Sequence, residues 1–353
     1  MQCNTVCSSL LEKKEYHFIS NKHTLIKVMK MSKSNRTAFI YHTACLGHNM
    51  GEGHPESPNR LAGIKQRLME EGVFGSLYLV EAPVGNTEDW LRVHDEQYVK
   101  ALFDSAPTTG TNRLDSDTAM NSGTIPAIQY ATGAVVKAVD MVMNDEILNA
   151  FCAIRPPGHH AGRDFPMGFC FINNVAVAAA YAMEKYNLSR VLIVDFDVHH
   201  GNGTEDIFKD DERVMFLSVF QHPFFPYSGD KQIGTNPNII GMPMPEGTGG
   251  LEFREKFLEE WLPKINEFQP EMVFISAGFD AHSDDDMGSF TFTEADFAWI
   301  TRQLKCWSKK NCNGHLVSVL EGGYDVDPLS RAATAHIRTL LDQEACSQAV
   351  QAA

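Results

Sequence analysis

The chain has 353 residues, 43% of them hydrophobic, so it can bury a sizeable core and lies in the range of one large α/β enzyme. Its 45 acidic residues against 30 basic ones give a formal charge of −15, which repels phosphate backbones and anionic lipid surfaces; neither direct nucleic-acid binding nor membrane association is expected. The same balance is compatible with cationic substrates such as lysine-rich peptides or polyamines.

In chain order, the opening MQCNTVCSSLLEKKEYHF reaches charge at Glu12, before an apolar stretch suited to a secretory signal or a membrane span has formed. Residues 1–36 are polar and weakly periodic and read as an N-terminal extension, 37–345 as a single folded domain, and 346–353 as a C-terminal tail. From Thr37 onward, short β-branched apolar runs (TAFIYH at 37, AFCAI at 150, VLIVDFDV at 191, VMFLSVF at 214, MVFIS at 272, HLVSVL at 315) alternate with amphipathic or Ala-rich stretches. That alternation predicts βαβ units, hence an α/β fold with a mostly parallel central sheet and helices on both faces. Ser57 as N-cap, Pro58 at the first helical position and Gly72 as C-cap bound a helix over NRLAGIKQRLMEEG. Thr293 to Asp296 starts another, FAWITRQLKCWSKK, whose last turn is basic as the helix dipole prefers. The eight cysteines (Cys3, Cys7, Cys45, Cys152, Cys170, Cys306, Cys312, Cys346) show no C-x-x-C spacing, several sit inside apolar runs where a free thiol packs as a small hydrophobe, and a reducing compartment is the simpler reading. No internal repeat, low-complexity tract or linker divides the chain.

In such a sheet, ligands bind outside the carboxyl ends of the strands, and here those positions are unusually polar. AFCAI runs into Arg155-Pro-Pro-Gly-His159-His160, VLIV into Asp195-Phe-Asp197-Val-His199-His200-Gly-Asn202, MVFIS into Ala277-Gly-Phe-Asp280, and HLVSVL into Glu321-Gly-Gly-Tyr324. Strand alternation is expected to put Asp195, Asp197 and His199 on one face, and burying carboxylates together without a cation is very costly. Asp197 and His199, with Asp280 from a neighbouring strand end, make a mixed O/N ligand set that leaves a coordination position open. One Asp or His after a strand is usually a cap; two His-His pairs, a D-x-D-x-H and a G-F-D at strand ends together are not explained that way.

The set R-P-P-G-H-H-A, G-F-C-F-I-N-N, D-F-D-V-H-H-G-N-G, G-F-D and E-G-G-Y, with G-H-P-E-S-P-N-R-L from Gly53, resembles the histone deacetylase superfamily from about Thr37 to about Leu341. The resemblance implies the three-layer arginase/deacetylase fold with about eight strands. It implies a catalytic ion, Zn²⁺ or alternatively Fe²⁺, on Asp197, His199 and Asp280. It implies His160 as proton-transfer residue, His159 as its electrostatic support, Asp195 as partner of His159, and Asn202 as partner of His160. Some members carry Asp at that last position and others Asn; the amide here should leave His160 less basic than in the Asp-bearing members. Tyr324 matches the oxyanion donor of active members, and Gly168, Phe169, Phe225 and Met287 match substrate-tunnel residues, with Phe224 a rival to Phe225. Arg60 matches a residue lining an internal channel, and Asp115 or Asp117 a rim carboxylate. Structural K⁺ is implied at Asp195, Asp197, His199, Ser218 and Val219.

The implied activity is hydrolysis of acetyl-lysine in a peptide or protein, a histone tail among them, to lysine and acetate. Acetylpolyamine hydrolysis is the alternative, and a non-catalytic acyl-lysine binding module a third reading. The stretch from His42 to Pro58 is short for a polyamine hydrolase, whose early loop narrows the entrance. A two-manganese ureohydrolase would need D-x-H-x-D where His199-His-Gly-Asn202 stands. The expected location is cytoplasmic, with the nucleus or export into another cell left open.

Overall fold

A computed structural model of the chain describes residues 36–344 and Cys346. The extension read over 1–36, Arg36 apart, and the tail read over 346–353, Cys346 apart, lie outside the described residues.

Among the described residues ten strands form in chain order: β1 (Thr37–Tyr41), β2 (Tyr78–Glu81), β3 (Thr111–Arg113), β4 (Ala119–Asn121), β5 (Asn149–Ala153), β6 (Val191–Asp195), β7 (Val214–Gln221), β8 (Ile239–Met244), β9 (Met272–Ala277) and β10 (Leu316–Leu320). Eight of them make one sheet in the order β2-β1-β5-β10-β9-β6-β7-β8. Every pairing in it is parallel. The remaining pair, β3 and β4, is a small antiparallel hairpin. The six apolar runs read from the sequence are β1, β5, β6, β7, β9 and β10. The edge strands β2 (YLVE, mostly exposed) and β8 (IIGMPM, broken by Pro243) lack the continuous apolar signal because each is paired on one side only.

Alternation along the strands feeds two cores. Ala38, Ile40, Cys152, Ile193, Phe274 and Val317 point to one face, where the helices Thr124–Met143 and Asn174–Tyr186 cover them. Phe39, Phe151, Leu192, Val194, Ile275 and Leu316 point to the other, under Asn59–Glu70, Glu294–Asn311 and Val326–Leu341. Both faces are apolar because both are covered, as an all-parallel sheet requires. Among the described residues no helix is long and apolar enough to cross a membrane.

Two local expectations are corrected. The first long helix starts at Asn59 with Pro58 in the N-cap position, so the Ser57 side chain does not cap it; Gly72, at φ +70°, does follow its end, where the left-handed conformation favours glycine. The helix Glu294–Asn311 starts where Thr293 to Asp296 predicts, with a capping box between Thr293 and Asp296. Cys306 and Cys346 are joined by a disulfide, where the sequence reading favoured a reducing compartment and free thiols. A pair 40 residues apart leaves no local spacing signal; the contact arises because the chain leaves the last helix beside the helix that carries Cys306. Cys45, Cys152 and Cys170 are buried thiols, whereas Cys3 and Cys7 lie outside the described residues.

Candidate metal centre and active site

The chemistry gathers at the carboxyl ends of the four central strands, β5, β10, β9 and β6, which lie side by side. β6 stops at Asp195, so strand alternation is not what aligns the D-x-D-x-H residues. Two side-chain-to-backbone turns do it instead. The Asp197 N–H donates to Asp195 Oδ1 at 3.1 Å, and the His199 N–H donates to Asp197 Oδ1 at 2.9 Å. Asp280, just beyond β9, accepts from the Val198 N–H at 3.0 Å and so joins this turn across the sheet.

Asp197, His199 and Asp280 are buried, and each offers a ligand atom within 4.8 Å of the others. His199 Nδ1 stands 3.0 Å from Asp197 Oδ1 and 3.3 Å from Asp280 Oδ2. That second oxygen has no well-formed hydrogen bond in spite of its burial, and the 3.3 Å approach of the imidazole is its nearest compensation. Burial, reinforced by the Asp197 carboxylate, pushes Asp280 up to about 7. Two desolvated carboxylates, one with an unsatisfied oxygen, and an imidazole nitrogen suit a divalent cation, which removes the cost of burying them. The backbone leaves room at this point: a Cβ on Gly322 would collide with both Asp197 Oδ2 and Asp280 Oδ2. The buried Asp-His-Asp group can therefore hold a metal ion.

The tandem histidines enter from the loop after β5. His159 Nδ1–H donates to Asp195 Oδ2 at 2.9 Å, and its Nε2 lies 3.7 Å from Asp197 Oδ2. Burial works against a charged ring, but Asp195 and Asp197 outweigh it and hold His159 up at about 10. His160 Nδ1–H donates to Asn202 Oδ1 at 2.7 Å, while the Asn202 amide N–H reaches Met167 Sδ at 3.4 Å, which orients the amide. Burial first, and then the charges of His159 and His199, push His160 well below its ordinary value, leaving Nε2 free to accept a proton. Neighbours in the chain thus sit in opposite electrostatic states.

The loop is locked by Glu321, Arg155 and Glu56, to which the sequence reading gave no role. Glu321 Oε2 accepts from the Gly158 and His159 N–H groups at 2.7 and 3.1 Å, and burial pushes this carboxyl up to about 7. Arg155 grips Glu56 and the carbonyls of Cys45 and His48, which links R-P-P-G-H-H to the Gly53–Arg60 stretch. Burial opposes ionisation of Glu56, yet Arg155 and His48 hold its carboxyl well below the usual range. Arg60 is buried too, donating to the Gly323 carbonyl at 2.5 Å and to the Glu321 carbonyl, with its guanidinium 4.9 Å from the Tyr324 ring centre.

A cavity of about 230 Å³ leads to this floor and is lined by His160, Gly168, Phe169, His199, Phe224, Phe225, Met287 and Tyr324, with Asp117 and Asp286. Phe169 stands edge-on to Tyr324 at 5.5 Å, and Phe225 edge-on to His160 at 5.3 Å. Phe224 stacks on His199 at 5.4 Å, so both members of the Phe224-Phe225 pair contribute. A Cβ on Gly168, at φ +54°, would overlap the His160 ring. Of the two candidate rim carboxylates, Asp117 reaches the cavity; Asp115 instead accepts the N–H groups of Asp117 and Thr118 at 2.9 and 2.6 Å. Ser218 pairs in register with Asp195, and its hydroxyl meets His200 Nδ1 at 3.1 Å; His200 in turn meets Glu205 at 2.7 Å. Asp195 is bonded to the Asp197 backbone and Ser218 lies beside Asp195 in the sheet; both, like Val219, are buried and none lines the cavity. A larger groove, about 570 Å³, runs past Arg163, Lys209 and Arg213; it holds none of the site residues, and its cations pair with carboxylates such as Asp206 and Asp211.

Comparison with known proteins accords with this geometry. The family model described as histone deacetylase domain matches residues 54–340. A probable deacetylase of Archaeoglobus fulgidus is 38% identical over 297 residues, 82% of each chain. A histone deacetylase-like amidohydrolase of Pseudomonas aeruginosa is 32% identical over 313 residues, again 82% of each. The crystal structure of the HDA15 HD domain superposes with a TM-score of 0.81 at 33% identity, covering 90% of this chain and 93% of that one.

Proposed function

The chain belongs to the histone deacetylase family, a family of amide hydrolases with the arginase/deacetylase fold, and from that premise we propose that it is a zinc-dependent lysine deacetylase acting on acetyl-lysine in peptides or proteins. The observation that carries the reading is the aromatic-walled cavity that reaches the buried Asp197-His199-Asp280 group through His199, with His160 and Tyr324 in its lining. Phe169 and Phe225 would grip the four methylenes of lysine, each worth about 0.8 kcal/mol when buried. Gly168 would accept from the substrate amide, and Met287 would close the wall between the rings.

Asp197, His199 and Asp280 would hold Zn²⁺, with Fe²⁺ a permitted substitute, and the ion would polarise the acyl carbonyl and acidify water. His160 takes the proton of the attacking water at Nε2, because its Nδ1–H is committed to Asn202. His159, steadied by Asp195, supplies positive charge beside the forming oxyanion. Tyr324 donates its hydroxyl to that oxygen; burial holds the phenol well above its ordinary value, so it stays a donor. His160 then returns the proton to the leaving amine. K⁺ would sit behind the floor near Asp195, Asp197, His199, Ser218 and Val219.

A second reading, hydrolysis of acetylated polyamines, is favoured by one observation: two carboxylates, Asp117 and Asp286, line the cavity with no Lys or Arg among its lining residues. Metal-quantified enzyme assayed side by side on an acetyl-lysine peptide and N-acetylputrescine tests both. The peptide is expected to turn over with the larger kcat/KM. A preference for the diamine would reverse the order, and acyl-lysine binding without turnover would make the chain a binding module.

A further inference from the structure

The turn from Glu321 to Asp325 belongs to no regular element, yet it carries Tyr324, so its backbone groups must find partners elsewhere. On the carbonyl side, Arg60 takes Glu321 and Gly323, and the Phe279 N–H takes Gly322. On the N–H side, Glu321 bonds the Ala277 carbonyl and Gly322 bonds Asp197. The two N–H groups at the end of the turn, those of Tyr324 and Asp325, converge on one oxygen of a single side chain, Asp285 Oδ2, at 2.7 and 3.0 Å. The other oxygen of that carboxylate, Oδ1, accepts from the Met287 N–H at 3.0 Å.

Asp285 is 3% exposed. Its charge is met by three backbone N–H groups, beside the N-terminus of the sixteen-residue helix Val326–Leu341, where the macrodipole favours an anion. Each oxygen serves a different wall of the cavity, one the loop that carries Asp286 and Met287, the other the turn that carries Tyr324. The carboxylate is therefore a tie between two lining segments that are joined by no strand or helix.

We propose that Asp285 is the positioning residue for Tyr324: by fixing the backbone at Tyr324 and Asp325 against the Met287 loop, it sets where the phenol hydroxyl stands over the cavity floor. This rests on the oxyanion role proposed for Tyr324. An error of about 1 Å in a preorganised donor can cost on the order of 10²-fold, so the effect should fall on turnover rather than on binding.

The test is a double-mutant cycle on metal-quantified enzyme with an acetyl-lysine peptide. Asp285→Asn turns one oxygen into an N–H donor facing N–H groups, and is expected to lower kcat about tenfold or more, with KM and metal content unchanged. Asp285→Glu keeps the charge but displaces it by one methylene, and should lower kcat comparably. Either change placed on Tyr324→Phe should cost nothing further, because the donor it positions is already gone. Wild-type kcat in both Asp285 variants, or losses that multiply with that of Tyr324→Phe, would overturn the proposal. So would failure of both variants to fold, which would make the role structural only. A wild type inactive on acetyl-lysine overturns the deacetylase reading and this one with it, whereas an active wild type with multiplying losses overturns this one alone.

Discussion

At the floor of the cavity, Asp195, Asp197, His199 and Asp280 are buried, and each is held by a backbone N–H or another side chain. Along the walls, Phe169 and Phe225 are placed by ring contacts with Tyr324, His54 and His160, at centroid separations of 4.7 to 5.5 Å. Directional contacts in a desolvated site specify positions closely and are costly to leave unmade; apolar contacts are non-directional and yield to repacking. The floor should therefore govern turnover steeply, and the walls should govern affinity mildly.

The strongest challenge to that contrast is Asp280→Ala, which removes a ligand and leaves Asp197 and His199 to hold the ion alone. Metal content should fall to background and kcat/KM by about 10³-fold or more, as read by metal analysis alongside a deacetylation assay. Next is Tyr324→Phe, expected to lower kcat about 10²-fold with metal content intact. A wall residue should behave differently. With the acetyl-lysine peptide of the proposed activity, Phe169→Ala would expose roughly half of the substrate methylenes, about 1.5 kcal/mol, and should raise KM about tenfold while kcat changes little. A fall in kcat as large as that of Tyr324→Phe would erase the distinction between floor and wall.

Asn202→Asp sharpens the comparison within the floor. A carboxylate beside His160 Nδ1 favours the imidazolium, raising a pKa that burial and the His159 charge hold well below its ordinary value. A base with a higher pKa loses its proton only at higher pH, so the acid limb of the kcat/KM profile should move up by about one unit. An unmoved limb would show that His160 is not the group titrating there.

The smallest effect concerns stability behind the site. Burial lowers His94 to about 4 and His336 to about 3, both beneath the ordinary 6.5 of an exposed histidine. His94 is neutral by construction: Nδ1–H donates to the Gly162 carbonyl at 2.8 Å, and Nε2 accepts the Asn173 N–H at 3.0 Å. As pH falls below 6.5 the unfolded chain binds these protons first, so their contribution is full above that pH and is lost on the way down, to about 4 for His94 and about 3 for His336. Thermal melts across this window should show a falling midpoint, less steep in His94→Gln.

Much of this architecture was legible in the residues themselves. The runs at β1, β5, β6, β7, β9 and β10 announce their strands because both faces of a covered parallel sheet are apolar, and the polar residues crowding after them mark the binding edge. Asp197, His199 and Asp280 were readable as one group because two buried carboxylates demand a cation wherever the chain takes them. The strand order, which sets β10 and β9 between β5 and β6, was decided only by packing. So were the partners of Glu321, Asp285 and Arg60, and the Cys306–Cys346 bond. Period and composition register what a residue needs, burial or a charge partner, and these act locally along the chain. Which distant group meets that need depends on how helices and strands stack, and a single sequence carries no separate mark of it.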